Sequence, residues 1–147
     1  MIVKTLHFDY VEIADEEVLS FSEGVYAFED IKEFVILKQD DDEGPIFWLQ
    51  AIKNENLCFL IMDPRTVIDD YKPDIPEEIL KKLEVTSEDY LRYFVIAVTP
   101  KNLNDTTVNL KSPIVINSEN NVAMQVILDN NDYSIRHRIF EQSGKVD

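Results

Sequence analysis

Cys58, His7 and His137 are the side chains best suited to nucleophilic or general-base chemistry near neutral pH, and the run Asp40-Asp41-Asp42-Glu43 offers hard oxygen ligands for a cation. A nucleophile needs a neighbouring base and a third group that orients the base. Cys58 instead sits in the apolar run Leu57-Cys58-Phe59-Leu60-Ile61-Met62, surroundings that favour the neutral thiol and leave it inert. His7 and His137 lie near opposite ends of the chain, His137 between Arg136 and Arg138, and no Gly-x-Ser-x-Gly elbow is present. The acidic run lacks both the alternating spacing and the distal bidentate Glu of an EF-hand loop. Zinc would want a Cys/His cluster, and Gly24, Gly44 and Gly144 stand too far apart to cradle a phosphate. No catalytic residue, metal or cofactor is therefore expected. A small metal-dependent enzyme built on Asp40 to Glu43 is kept as an alternative.

The charge points elsewhere. The chain carries 29 acidic against 14 basic residues, a net charge of -15. Phosphate backbones and anionic membranes would repel it, so neither nucleic acid nor membrane is an expected partner. Residues 1–90 hold 23 Asp/Glu against 8 Lys/Arg, whereas residues 91–147 hold 6 of each. The acidity peaks between Asp15 and Glu43, where Lys32 and Lys38 are the only basic residues. Such asymmetry either keeps a protein soluble or steers a basic partner.

The elements that would position such a surface are short. With 45% hydrophobic residues, eight Phe, six Tyr and one Trp, the chain can build a core, and its length suits one domain spanning 1–147. The apolar segments are rich in β-branched and aromatic residues and broken by polar turns. Strands are expected at about 2–8, 10–13, 33–38, 46–52, 57–62, 65–71, 91–99, 107–111, 113–117, 122–128 and 133–140. Phe34-Val35-Ile36-Leu37 and Tyr93 to Val98 are apolar on both faces and must be covered on both. One helix is expected from Asp74 as N-cap, with Glu77 as its capping-box partner and Ile75, Ile79, Leu80 and Leu83 as its apolar stripe; a further turn starts at Thr86 or Ser87. The fold class that follows is all-β and mainly antiparallel: a small open β-barrel-like domain of about ten strands, with one short helix at an open end or edge. The amino end alternates without an apolar signal-like segment and no stretch approaches 18 apolar residues, so the cytoplasm is the expected compartment. Trp48, Tyr71, Tyr90 and Tyr133 fall near strand ends or turns, where aromatic anchors for a protein partner would be useful.

The order of segments is specific. Phe47-Trp48-Leu49-Gln50-Ala51 precedes Leu57 to Pro64, then Thr107-Val108-Asn109-Leu110-Lys111-Ser112-Pro113-Ile114-Val115-Ile116-Asn117, then Gln125-Val126-Ile127-Leu128 and Tyr133-Ser134-Ile135-Arg136-His137. This series closely resembles the FliW family of flagellar assembly factors over nearly the whole chain. One stretch departs: where the family usually has Gly-x-Pro-Gly-Phe, this chain reads Gly24-Val25-Tyr26-Ala27-Phe28. The resemblance implies a cytoplasmic, β-barrel-like protein without catalytic activity that moves between two partners, flagellin and the translational regulator CsrA. It also implies that the CsrA-bound state relieves repression of flagellin translation and that rising flagellin restores it.

Within the matching motifs, the polar or turn-forming residues poorly explained by core packing are Asp63, Pro64, Asn109, Pro113, Asn117 and Gln125. Asp69, Asp70 and Tyr71 follow and set charge beside an aromatic ring, which suits a basic partner. These nine are the candidate partner-binding residues. An acidic mimic of nucleic acid, occupying a basic groove directly, is the competing reading of the same charge.

Overall fold

The computed structural model describes residues 1–39, 44–129 and 132–140. Eleven strands and one α-helix succeed one another as β1 (Ile2–Lys4), β2 (Tyr10–Glu12), β3 (Leu19–Phe21), β4 (Glu33–Leu37), β5 (Ile46–Ala51), β6 (Cys58–Met62), α1 (Glu77–Leu83), β7 (Leu91–Val98), β8 (Thr107–Val108), β9 (Ile114–Asn117), β10 (Val122–Gln125) and β11 (His137–Arg138). Seven of the strands close a barrel in the order β7-β6-β5-β4-β3-β10-β9 and back to β7, while β8 and β11 extend the sheet beyond β7. β1 and β2 form a separate hairpin. All pairs are antiparallel except β3 with β10, where Ser20 lies opposite Val122 and Phe21 opposite Ala123.

The longest strand explains the closure. β7 pairs along its first half with β9, from Leu91↔Asn117 to Phe94↔Ile114, and at its end with β8, at Ala97↔Val108 and Val98↔Thr107. β8 and β9 are thus one edge interrupted by residues 109–113. The interruption has a local cause. Asn109 Oδ1 accepts the backbone N–H groups of Lys111 (3.2 Å) and Ser112 (3.0 Å), an Asx-type turn, and Pro113 has no N–H to give to a ladder.

Strands apolar on both faces are covered on both over most of their length; the exception is Val98 at the end of β7, which is 63% exposed. Phe21, Phe34, Leu49, Ile61, Phe94, Ile114 and Ile116 fill the barrel, with Phe21 and Phe34 meeting edge to face at 5.1 Å. Val35, next to Phe34, points outward and is sealed by Val3 and Ile13 of the β1–β2 hairpin region. Val115, between Ile114 and Ile116, packs under Ile75 and Leu83 of the helical segment. A third outer cluster gathers Met62, Tyr71, Val95, Ala97, Val108 and Leu110.

Several boundaries differ from expectation, each for a physical reason. The helix starts at Glu77 after an extended Pro76, with no side-chain cap from Asp74; the Pro76 carbonyl accepts the N–H groups of Ile79 (3.0 Å) and Leu80 (3.2 Å). Pro76 holds Ile75 out of the helical region, so the turn cannot begin earlier. The expected stripe is present: Ile75 and Leu83 are buried, and Ile79 and Leu80 pack beside them. The helix ends at Glu84, whose φ of 57° lets its N–H reach the carbonyls of Leu80 and Lys81. Residues 65–71 are not a strand. Asp63 caps a 3₁₀ turn over Pro64–Thr66, its Oδ1 accepting the Arg65 N–H at 2.9 Å. β1 stops at Lys4 because Thr5 Oγ1 donates to the Asp9 carbonyl (2.9 Å) and accepts the Phe8 N–H (2.8 Å), folding the chain back through Asp9 at φ 54°. The strand expected over 133–140 is confined to His137–Arg138, and β3 was not foreseen. The 3₁₀ turn at Glu88–Tyr90 does follow Ser87, whose hydroxyl accepts the Asp89 N–H at 3.2 Å.

Candidate partner-binding surfaces

The segment after β6 builds one wall of a groove. Asp63 and Pro64 set the 3₁₀ turn, with the buried Pro64 offering its carbonyl to Val67 and Ile68, both at 3.0 Å. The chain then drops Tyr71 inward. Tyr71 is 1% exposed, donates its hydroxyl to the Leu110 carbonyl at 2.7 Å, and packs on the rings of Tyr133 (centroids 4.6 Å apart) and Tyr93 (6.4 Å). Burial, reinforced by the two neighbouring phenols, holds the Tyr71 hydroxyl protonated far above its ordinary range. Tyr71 is therefore the anchor of the wall rather than a ring offered to a partner, and pinning it leaves Asp69 and Asp70 exposed.

The opposite wall is the 3₁₀ turn carrying Glu88 and Asp89, and between the walls lies an open groove of about 710 Å³ with Leu91 and Tyr93 in its lining. Asp69, Asp70, Glu88 and Asp89 form no ion pair among the described residues. Arg65 and Lys72 supply positive charge here, so four carboxylates face two cations in the lining; the Arg65 guanidinium lies 5.9 Å from the centre of the Tyr93 ring. Burial, then the nearby Glu88 carboxylate, raises the Tyr93 hydroxyl, and Arg65 partly offsets this. A groove rimmed by exposed carboxylates suits cationic side chains, which gain charge pairing there.

The other candidate residues lie elsewhere and make contacts within the chain. Asn117 is 0% exposed; its Nδ2 donates to the Leu83 carbonyl at 2.9 Å and its Oδ1 accepts the Glu119 N–H at 3.0 Å, tying the helix end to the barrel. Pro113 is buried and its carbonyl accepts the Val126 N–H at 2.9 Å. Gln125 bridges two loops: Oε1 accepts the Tyr26 N–H at 3.0 Å and Nε2 donates to the Ser112 carbonyl at 3.4 Å. Asn109 builds the turn described above. Asp69, Asp70 and Tyr71 are thus brought together in one groove near Asp63 and Pro64, whereas Asn109, Pro113, Asn117 and Gln125 are not part of it.

Glu88, Asp89, Arg65 and Tyr93 were not singled out from sequence, and neither was Gln50. Gln50 is fully buried in β5, where Oε1 accepts the Leu6 N–H at 3.0 Å and Nε2 donates to the Ala51 carbonyl at 3.0 Å; a lone amide in an apolar strand was its signal. Cys58 is half-buried, and burial pushes its thiol up to about 11. Trp48 stacks on His7 with ring centroids 4.1 Å apart, and Tyr90 is exposed. The run Asp40 to Glu43 lies outside the described residues; among those described, no group of three or more His, Cys, Asp or Glu is placed to hold a metal. No helix among them is long and apolar enough to cross a membrane.

The departing turn is resolved in detail. Gly24 has φ 67°, and a Cβ there would sit 2.4 Å from Glu29 Cα, so no other residue fits. Ala27 keeps a φ of 75°. Phe28 N–H donates to the Val25 carbonyl at 2.7 Å, closing the turn.

Comparison with known proteins agrees with this geometry along the chain. The family model described as FliW protein matches residues 2–139. The flagellar assembly factor FliW of Ruminiclostridium cellulolyticum is 37% identical over 145 residues, covering 99% of this chain and 98% of that protein. The flagellar assembly factor FliW of Caldicellulosiruptor saccharolyticus is 39% identical over 140 residues, covering 95% of this chain and 91% of its own. A crystal structure of the flagellar assembly factor FliW superposes with a TM-score of 0.89 at 30% identity, covering 97% of this chain and 99% of that one.

Proposed function

The chain belongs to the FliW family of flagellar assembly factors, and we propose that within it the protein acts as a non-enzymatic regulator in the cytoplasm that binds flagellin and a CsrA-type translational regulator. The observation that carries the reading is the groove in which Asp69, Asp70, Glu88 and Asp89 form no ion pair among the described residues, on a chain of net charge -15. An RNA-binding regulator such as CsrA carries basic surface for phosphates, and an acidic groove captures such a surface quickly and reversibly. Held in this way, the regulator is kept from repressing flagellin translation. Flagellin that accumulates takes the protein over, frees the regulator and restores repression.

The test is a pair of titrations with purified proteins, one with the CsrA-type regulator and one with flagellin from the bacterium that makes this chain. Each is expected to give a stoichiometric complex, and flagellin is expected to release the regulator from the first. Absence of both complexes contradicts the reading. Adding RNA separates the acidic-mimic alternative: a mimic is displaced in proportion to RNA at one shared surface.

A further inference from the structure

Asp69 and Asp70 owe their exposure to a tight turn. Tyr71 N–H donates to the Ile68 carbonyl at 3.1 Å, which makes the two aspartates the central pair of a four-residue turn. The near end is fixed where Ile68 N–H reaches the Pro64 carbonyl at 3.0 Å. Lys72 follows directly, so two carboxylates and an ammonium ride on four consecutive residues. The field that this wall presents therefore depends on how the turn is held.

The exit of the turn is held from far along the chain. After Tyr71 the backbone runs extended to Pro76, and its next attachment is the bond from Lys72 N–H to the Tyr133 hydroxyl at 3.0 Å. Tyr133 is itself fixed. Its ring centre lies 4.6 Å from that of Tyr71, and the carbonyl of the following Ser134 accepts the Leu110 N–H at 3.0 Å. Leu110 in turn gives its carbonyl to the Tyr71 hydroxyl at 2.7 Å. Packing on Tyr71 asks only for a ring, which phenylalanine would supply; the hydroxyl of Tyr133 is what holds the main chain at position 72.

Resting on the acidic-groove reading above, we propose that Tyr133 is a positioning residue for capture of the basic partner: its hydroxyl holds the exit of the Asp69–Asp70 turn so that these carboxylates stand across the groove from Glu88 and Asp89. Tyr133 acts through the two aspartates and not through a contact of its own with the partner.

Tyr133→Phe keeps the ring and removes the bond. Amide exchange of Lys72 in this variant is expected to quicken about tenfold or more, while the thermal melt stays within about 4 °C of wild type. Association of the CsrA-type regulator at low salt is expected to slow about threefold or more, and the difference is expected to close at high salt. The decisive comparison repeats the substitution in the background Asp69→Asn, Asp70→Asn. There Tyr133→Phe is expected to have no further effect on the association rate, because the charges it positions are gone. Lys72 exchange or a low-salt association rate equal to wild type in Tyr133→Phe overturns the proposal. So does an equal fold loss in the asparagine background, which marks a merely structural hydroxyl. A wild type that does not bind the regulator overturns the reading of the groove itself, and Lys72 exchange then reports separately whether the hydroxyl holds the turn.

Discussion

Gln125 Oε1 accepts the backbone N–H of Tyr26 at 3.0 Å across 99 residues of sequence, and the same amide donates to Ser112. A proline at position 26 would have no N–H to give, so the Tyr26 N–H and the Gln125 amide together hold this turn. The neighbouring Ala27 occupies a left-handed φ of 75°. Gln125→Ala is expected to lower stability by about 1 kcal/mol, the net worth of a hydrogen bond at a partly exposed site. Ala27→Gly is expected to raise stability by up to about 1 kcal/mol, because relief of the left-handed strain exceeds the entropy cost of glycine. Urea unfolding of the two variants gives both signs.

Tyr71→Phe removes the hydroxyl that serves the buried Leu110 carbonyl. The expected cost is about 1–3 kcal/mol, read from the shift of the denaturation midpoint, since a buried acceptor is left unpaired.

The same hydroxyl makes the fold alkali-sensitive. Its pKa is raised in the folded state, so the unfolded chain loses that proton first, and stability is fully present below the ordinary tyrosine value of 10.0 and falls as pH rises above it. Melting temperatures of the wild type should therefore drop more steeply above pH 10 than those of Tyr71→Phe. Parallel curves would contradict this placement of the hydroxyl.

Cys58 should react slowly. With its thiol pushed up to about 11, little thiolate exists at pH 8, and alkylation of the native protein is expected to run at least about tenfold slower than in urea. Equal rates would mean that the thiol is not shielded by its strand.

The parts of this molecule that were legible in sequence are those set by local period. Phe34-Val35-Ile36-Leu37 and Tyr93 to Val98 announce strands covered on both faces because no polar residue interrupts them; Phe34 and Phe94 are buried on the inner face and Val35 and Val95 on the outer, while Val98 at the strand's end stays exposed. The helical stripe through Ile79, Leu80 and Leu83 is legible for the same reason at its longer period. Residues 65–71 misled because Val67 and Ile68 look strand-like, whereas the Asp63-Pro64 cap starts a 3₁₀ turn. β3 escaped notice because it is three residues long with a serine in the middle, and its parallel pairing with β10 joins residues about a hundred positions apart, which leaves no local mark. Of the candidate surface, the charges of Asp69 and Asp70 were visible, but their position opposite Glu88 and Asp89 exists only in the folded chain. Nor could spacing say that Tyr71 points inward, since an amphipathic ring serves a core as well as an interface.

The central claim is electrostatic capture of a basic regulator by the groove around Asp69. The most direct measurement is the association rate of the CsrA-type protein with the wild type and with the double variant Asp69→Lys, Asp70→Lys, taken at low and at high salt. The account predicts a wild-type rate that falls about tenfold or more with added salt, and a variant that is slow at both. A rate that is unchanged by salt and by the double variant would contradict it.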